Sequence, residues 1–417
     1  MTCDDRRVIV ARLCYTLGPS MFFANRAVNR LAVHTALQQL AWCMSGAFFG
    51  VYLLRAGLAP SILFLASAGV LALRFVMRPL VLVVAPRIGL RRTLVIGTLL
   101  SALQYPAVGL VHGADVTLAL FCAIGALAGV FYWPCYHTFF AALGDREYRG
   151  SQVGVRQVLM GIAAVLGPAA GGVMLTNFGP WVAFGTAAAV QALAAVPLFA
   201  VREPHLARRS PVGAYAAAWN GVCLFAADGW MLAGAMLAWD ITMFRALQSR
   251  FDQFGGVLAL AALAGALGSV VLGRFIDLGH ARRVIAFNAA MLCTGILLRT
   301  FCTLSPTTVI AIALVTTMLG GMYVPVLMTA VYNASKSSPC PFRFQFAAEG
   351  GWDCGGGGAG VSIIAAALCA VGGSPQATIL LALPAVLVQA WLLARVYRLR
   401  PPAGPARLEP APSAPLP

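Results

Sequence analysis

Acid is what this sequence has least of. Its 417 residues carry 13 Asp and Glu against 29 Lys and Arg, and charged residues of every kind make up 10%. Soluble domains run near 25% charged and 45–50% apolar; here 60% is hydrophobic and the mean hydropathy is +0.84. So few charges cannot cover a water-soluble fold of this size, which excludes a soluble enzyme and a disordered chain alike. Pairing is missing among the 11 cysteines, which show no C-x-x-C. Cys43, Cys122, Cys293 and Cys369 sit inside apolar runs, where a thiol acts as a small hydrophobe. Neither a disulfide scaffold nor a metal site is expected. H-E-x-x-H, G-x-S-x-G and nucleotide motifs are also missing, and no Lys-Ser/Thr follows the glycine run 355–358. No enzyme activity and no cofactor is therefore expected, and without an ATP site any work must draw on an ion or solute gradient. What is left is a polytopic membrane protein.

The net charge of +16 does not indicate nucleic acid. Nucleic-acid binders cluster base on a soluble face, whereas these residues are strung between apolar runs. All but Lys336 are Arg, and Ala, Gly and Pro abound, as in a GC-rich bacterial gene. A spanning helix needs ~20 apolar residues. Runs of that kind fall at 31–54, 61–85, 93–111, 116–140, 153–176 and 180–200, then at 222–246, 254–276, 284–303, 306–332, 352–371 and 375–397. The expected fold is all-α, with twelve transmembrane helices in two pseudo-symmetric six-helix bundles, 31–200 and 222–398. Residues 1–30 form an interfacial cytoplasmic segment, 201–221 a cytoplasmic linker and 399–417 a Pro/Ala-rich disordered tail. Arg12 interrupts the apolar stretch after Arg6 and Arg7, so no secretory signal is expected.

Loop charge sets the orientation. With a cytoplasmic N-terminus, the inner loops collect Arg87, Arg91, Arg92, Arg146, Arg149, Arg202, Arg208, Arg209, Arg274, Arg282 and Arg283, while the outer loops hold only Arg55, Arg245, Arg250 and Arg299. Both termini are expected in the cytoplasm of a cell whose inner membrane holds the protein, as a monomer. A shift of 191 residues superposes Gly129 on Gly320, Tyr132 on Tyr323, Pro134 on Pro325, Thr138 on Thr329 and Arg91-Arg92 on Arg282-Arg283. The shift equals six spans. Two related halves with binding at their interface is a transporter architecture.

Gly273-Arg274-Phe275-Ile276-Asp277, then Gly279 and Arg282-Arg283, forms a short basic loop after the eighth span. It resembles the loop signature of the major facilitator superfamily, G-x-x-x-D followed by Gly and paired basic residues. The first-half copy keeps Gly89, Arg91 and Arg92 but has Pro86 where the acid belongs and Leu82 for the first Gly. Gly161, Gly167-Pro168 and Gly171-Gly172 in the fifth span are similar to the G-P-x-x-G-G signature of the family's antiporter branch. The resemblance implies alternating access, with proton-coupled export of a small organic compound as its first expectation and proton-driven import as the alternative. A membrane sensor or enzyme without transport is the remaining class; it predicts no two-fold relation between halves. The resemblance also implies a latch between the Asp277 loop and the start of the fifth span, where Arg149 and Arg156 lie. For the first half, the acids at the start of the eleventh span, Glu349 and Asp353, are expected to meet Arg87, Arg91 and Arg92; otherwise they simply favour a helix N-terminus.

A charge at the bilayer centre costs at least ~2.5 kcal/mol, so each one inside a span asks for a reason. Arg74 lies deep in the second span, suited to an anionic substrate group or an acidic partner; Arg78 can snorkel. Asp228 and Asp240 in the seventh span are proton-carrying candidates, or else a cytoplasmic helix start and a water-facing outer end. Glu349, Asp353 and His137 join them as coupling candidates. Tyr132-Trp133-Pro134-Cys135-Tyr136-His137 is the densest aromatic cluster, either a cavity wall or part of the interfacial aromatic belt. Gln38 and Gln39, with His34 a turn earlier, either line a cavity or pack. The partners expected are thus a small-molecule substrate, protons and lipid.

Overall fold

A computed structural model describes residues 26–143, 149–203, 210–276 and 281–399. All regular structure among them is helical. Helix α1 (Arg26–Met44) continues through a 3-10 turn into α2 (Phe49–Arg55), followed by α3 (Pro60–Met77), α4 (Pro79–Ile88), α5 (Leu90–Val108), α6 (Val116–Leu143), α7 (Arg149–Asn177) and α8 (Gly179–Leu193). After the 201–218 stretch come α9 (Trp219–Ala246), α10 (Phe251–Ile276), α11 (Ala281–Phe301), α12 (Pro306–Leu319), α13 (Tyr323–Lys336), α14 (Pro341–Asp353), α15 (Gly358–Ala370) and α16 (Leu383–Leu399). Pro60, Pro79, Pro306 and Pro341 each open a helix, the position where a missing N–H costs nothing. Ten helical segments are long and apolar enough to cross a membrane, and Pro79–Ile88 and Pro306–Leu319 are shorter apolar helices. Residues 1–25, 144–148, 204–209, 277–280 and 400–417 lie outside the described residues, and with them most of the N-terminal segment, part of the linker, Asp277 of the basic loop and the tail.

Two spans differ from the hydropathy expectation in ways that matter for the site. The second is jointed: α3 gives way to α4 at Arg78, because Pro79 has no N–H to continue the ladder. The eleventh begins at Pro341 and not near 352, since Arg343, Gln345 and Glu349 dilute the hydropathy of a turn that is nonetheless helical and buried. It then breaks between Asp353 and Gly358, where Cys354 and Gly357 leave helical geometry. The glycine run is thus an unwound segment inside a membrane helix, tolerated only where protein buries it. Helix α9 does so. A Cβ on Gly229 would strike the Trp352 carbonyl, and one on Gly351 the Val222 carbonyl.

Small residues set the other close crossings. Gly167 and Gly171 of α7 lie against Cys43 and Met44 of α1, Gly172 against the Phe251 backbone of α10, and Gly255 of α10 against the Pro168 carbonyl. A Cβ at Gly171 would overlap the Met44 carbonyl oxygen. The Gly-Pro-x-x-Gly-Gly run therefore knits α7 to both α1 and α10, and Gly161 alone of the set faces open space. At one end of the helices, Phe48, Tyr52, Phe244, Phe251 and Phe254 interlock edge to face or stacked. Helix α3 packs along α15, and α9 along both α14 and α15.

Candidate functional site

The joint of α3 and α4 and the end of α14 bring their charges to the same depth. Arg74 Nε donates to Asp353 Oδ1 at 2.6 Å, and its Nη2 donates to the same oxygen. Arg78 Nη2 donates to Asp353 Oδ2. Asp353 is 0% exposed, so one carboxylate buries two guanidinium groups. Gly129 of α6 makes room for this: a Cβ there would sit 2.7 Å from Arg74 Cδ. The Arg74 guanidinium also lies 5.3 Å from the Trp352 ring centre.

One turn earlier on α14, Glu349 Oε1 lies 3.2 Å from His137 Nε2. The other ring nitrogen of His137 lies 2.8 Å from the Tyr332 hydroxyl. With the proton assigned to Nε2, the imidazole donates to Glu349 and accepts from Tyr332. Trp133 stacks on the His137 ring at 5.7 Å, and Phe140 packs on Tyr332 at 5.2 Å. Helix α6 is thereby tied to α13 and α14, and α3 to α14. Two arginines face two carboxylates, and Glu349 acts electrostatically on both Arg74 and Arg78.

A third carboxylate joins through Trp352. Asp228 accepts from Trp352 Nε1 at 2.9 Å and from the Tyr323 hydroxyl, which in turn accepts from Gln389 Nε2 at 2.9 Å. Trp352 thus touches Arg74 with its ring and Asp228 with its N–H. Asp228 is the tenth residue of α9 and buried, so it is not a water-facing helix start. The shifted counterpart of Tyr323 behaves alike: Tyr132 OH lies 3.2 Å from His34 Nε2, whose Nδ1 meets the Ala194 carbonyl at 2.7 Å.

The expected pairing of Arg87, Arg91 and Arg92 with Glu349 and Asp353 is corrected. Asp353 lies twelve residues beyond Pro341, about 18 Å up the helix at 1.5 Å per residue, level with Arg74 and Arg78 and far from the loop. Arg91 instead donates from Nη1 to the carbonyls of Phe199 (3.1 Å) and Val201 (3.4 Å), and from its backbone N–H to Glu203 at 3.2 Å. Arg30 reaches the Ala200 carbonyl from α1. This loop caps the chain's exit after α8. Gly89 holds φ +96°, and a Cβ there would meet the Glu203 carboxylate. Arg92 is exposed.

Asp277 lies outside the described residues, as do the surroundings of Gly273, Arg149 and Arg282; Arg283 is exposed. Arg156 lies 4.7 Å over the Phe140 ring and 5.6 Å over Tyr136. Tyr132 is buried and Trp133 half-buried, within the helix packing and not in an outer belt. Gln38 is half-buried, and Gln39 donates to Cys43 Sγ at 3.1 Å. Asp240 is half-buried beside Arg299. Among the side chains of these networks, Tyr323, Tyr332, Trp352 and Gln389 had no charge to draw attention. Only the 191-residue shift pointed to Tyr323.

A cavity of ≈ 930 Å³ lies where α7 and α10 face one another, bounded also by α9, α11 and α12. Its wall includes Gln39 and Tyr323, and is otherwise mostly Met, Val, Leu, Ala and Gly.

The Major Facilitator Superfamily model matches residues 21–339. No curated protein matches the sequence. Solved structures resemble the fold at low identity. The nucleoside transporter NupG is 13% identical, with a TM-score of 0.60 over 89% of this chain and 99% of its own. The Escherichia coli fucose:proton symporter FucP is 13% identical, with 0.59 over 88% and 98%. A bacterial homologue of the human lysosomal transporter Spinster is 16% identical, with 0.57 over 90% and 97%.

Proposed function

The chain belongs to the major facilitator superfamily, a transporter and not an enzyme, and from that premise we propose that it couples proton movement to export of a small organic compound by alternating access. Helices α5 and α12–α13 complete twelve crossings in this reading, grouped as two six-helix halves with both termini in the cytoplasm of a bacterium whose inner membrane holds the protein. It works as a monomer.

The carrying observation is the buried seam in which Asp353 and Glu349 of the second half face Arg74, Arg78 and His137 of the first. If the halves part there, each carboxylate must keep a partner or lose its charge, because an unpaired buried ion costs several kcal/mol. A proton is the smallest group that neutralises one. Parting of the seam is thereby linked to protonation of Glu349 or Asp353, while Asp228, held by Tyr323 and Trp352, reports through Trp352 on whether Arg74 is still in place. Export is favoured by the glycine contacts of Gly167, Gly171 and Gly172, which bind α7 to α1 and α10 near their outer ends and resemble the antiporter signature.

Everted membrane vesicles with a pH-sensitive dye test this against a panel of amphipathic anions, cations and sugars. A substrate that collapses the pre-formed proton gradient from the cytoplasmic face supports antiport. Proton uptake with solute in right-side-out vesicles would make it an importer. Wild-type coupling in both Glu349→Gln and Asp353→Asn would overturn the coupling assignment.

A further inference from the structure

The ≈ 930 Å³ cavity has a polar end that the charged seam does not use. Arg299, from the last turn of α11, lines it. Its Nε donates to Thr316 Oγ1 at 2.9 Å, and its guanidinium lies 5.1 Å from the Trp239 ring centre. Among the described residues no acceptor takes its two terminal nitrogens. Asp240 is the carboxylate that acts on it electrostatically, without an ion-pair contact between them. An arginine fixed at one nitrogen and on one face, with its fork open to a cavity, is set to receive a planar anion bidentately.

The rest of the cavity wants the opposite chemistry. Met160, Met231, Met236 and Met291 line it, flexible thioethers that adapt to an irregular apolar body. Its lips on α7 and α10 are Val158, Ile162, Leu166 and Leu263, all half-exposed or more. Gly172 and Gly255 pin α7 to α10 near the outer ends, whereas a Cβ on Gly161 would meet nothing within 4 Å. Gly161 therefore leaves room on the cavity side of the α7–α10 pair. The 191-residue shift carries Arg74 onto Gly265 and Arg78 onto Ser269, and Val158 and Ile162 onto Glu349 and Asp353. All four of the shifted partners Gly265, Ser269, Val158 and Ile162 line this cavity. One seam is closed by charge; its counterpart is uncharged and open.

The geometry points to a single-chain amphipathic organic anion as the ligand of this cavity, its carboxylate on Arg299 and its apolar body along the α7–α10 gap. Asp240 competes for the same guanidinium. This deepens the transport reading and rests on it for the ligand's being cargo, but binding itself can be read separately.

The test uses the full chain in phosphatidylcholine nanodiscs, titrated with 11-(dansylamino)undecanoic acid and followed by its fluorescence, with no proton gradient present. The acid is expected to bind saturably and its methyl ester at least about tenfold more weakly. Arg299→Gln should bring the acid down to the ester's affinity, and Asp240→Asn should tighten the acid by removing its rival. Gly161→Trp, placed where a side chain has room, should block both probes, and stands as evidence even if Arg299→Gln folds poorly. Equal affinity for acid and ester, or unchanged binding in Gly161→Trp, would overturn the assignment. Failure here leaves proton coupling standing, and failure of the vesicle assay leaves this site standing.

Discussion

Replacing Asp353 by Asn should be the most damaging single change in the charged seam, while replacing its partner Arg78 should cost little. Asp353 is fully buried and takes Arg74 on one oxygen and Arg78 on the other. Its neutralisation leaves two buried guanidinium groups with only Glu349 opposite. Removing one member of a buried ion pair costs about 3–5 kcal/mol. With an unfolding entropy of about 2.1 cal/mol/K per residue, that lowers the melting temperature by about 3–6 °C for a chain of this length. Arg78 is a different case, because its Nε and Nη1 are buried without a partner. Each such atom costs about 1–3 kcal/mol. Arg78→Leu discards that penalty along with the ion pair, while Arg74 continues to hold Asp353. Its melting temperature should stay within about 1–2 °C of the parent, the equivalent of ~1–2 kcal/mol. The double variant should be milder than Asp353→Asn alone, since only one guanidinium is then orphaned. Thermal unfolding of the purified protein in nanodiscs, followed by tryptophan fluorescence, measures all three. Equal losses for Asp353→Asn and Arg78→Leu, or strict additivity in the double variant, would refute the idea that one carboxylate carries the pair.

Tyr332→Phe removes the hydroxyl bonded to His137, and should raise the reaction of a cysteine placed at Phe140 with a cytoplasmic maleimide several-fold, as that side opens more often. Gly171→Ala forces a methyl into the Met44 carbonyl and should destabilise by about 1–3 kcal/mol, read as a drop in melting temperature and in transport. Arg91→Ala loses carbonyl contacts that are partly exposed; it should change stability by under about 1 kcal/mol and leave the vesicle signal intact. Tyr323→Phe should weaken coupling less than Asp228→Asn, since Trp352 still donates to the carboxylate; a dye response as low as that of Asp228→Asn would contradict this.

Hydropathy located the apolar helices because lipid demands long apolar runs, and intramembrane charge drew attention to Arg74, Asp228 and Asp240 because each is costly; Asp353 drew attention with Glu349 through the expected latch. Their partners were not legible. Arg74 and Asp353 are 279 residues apart, and no local pattern encodes which helices touch. The start of α14 was hidden for a physical reason: its first turns are buried against protein and need not be apolar, so Arg343, Gln345 and Glu349 can lie there. Moving that start by about ten residues shifts Asp353 from the membrane mouth to the level of the α3–α4 joint. The glycine run 355–358 was legible as odd, but only the packing of Gly229 and Gly351 gives its purpose.

That unwound segment means the eleventh span is two levers and not one. The inner lever, α14, carries Glu349, Trp352 and Asp353; the outer one, α15, carries no charge and lies flat along α3. With Cys354 and three glycines between them, the proposed change of partners by the carboxylates would turn α14 about residues 354–357 and leave α15 in place. In the proposed transport cycle that division would let one end of the span move while the other stays packed on α3, the mechanical separation that keeps a carrier from becoming a leak.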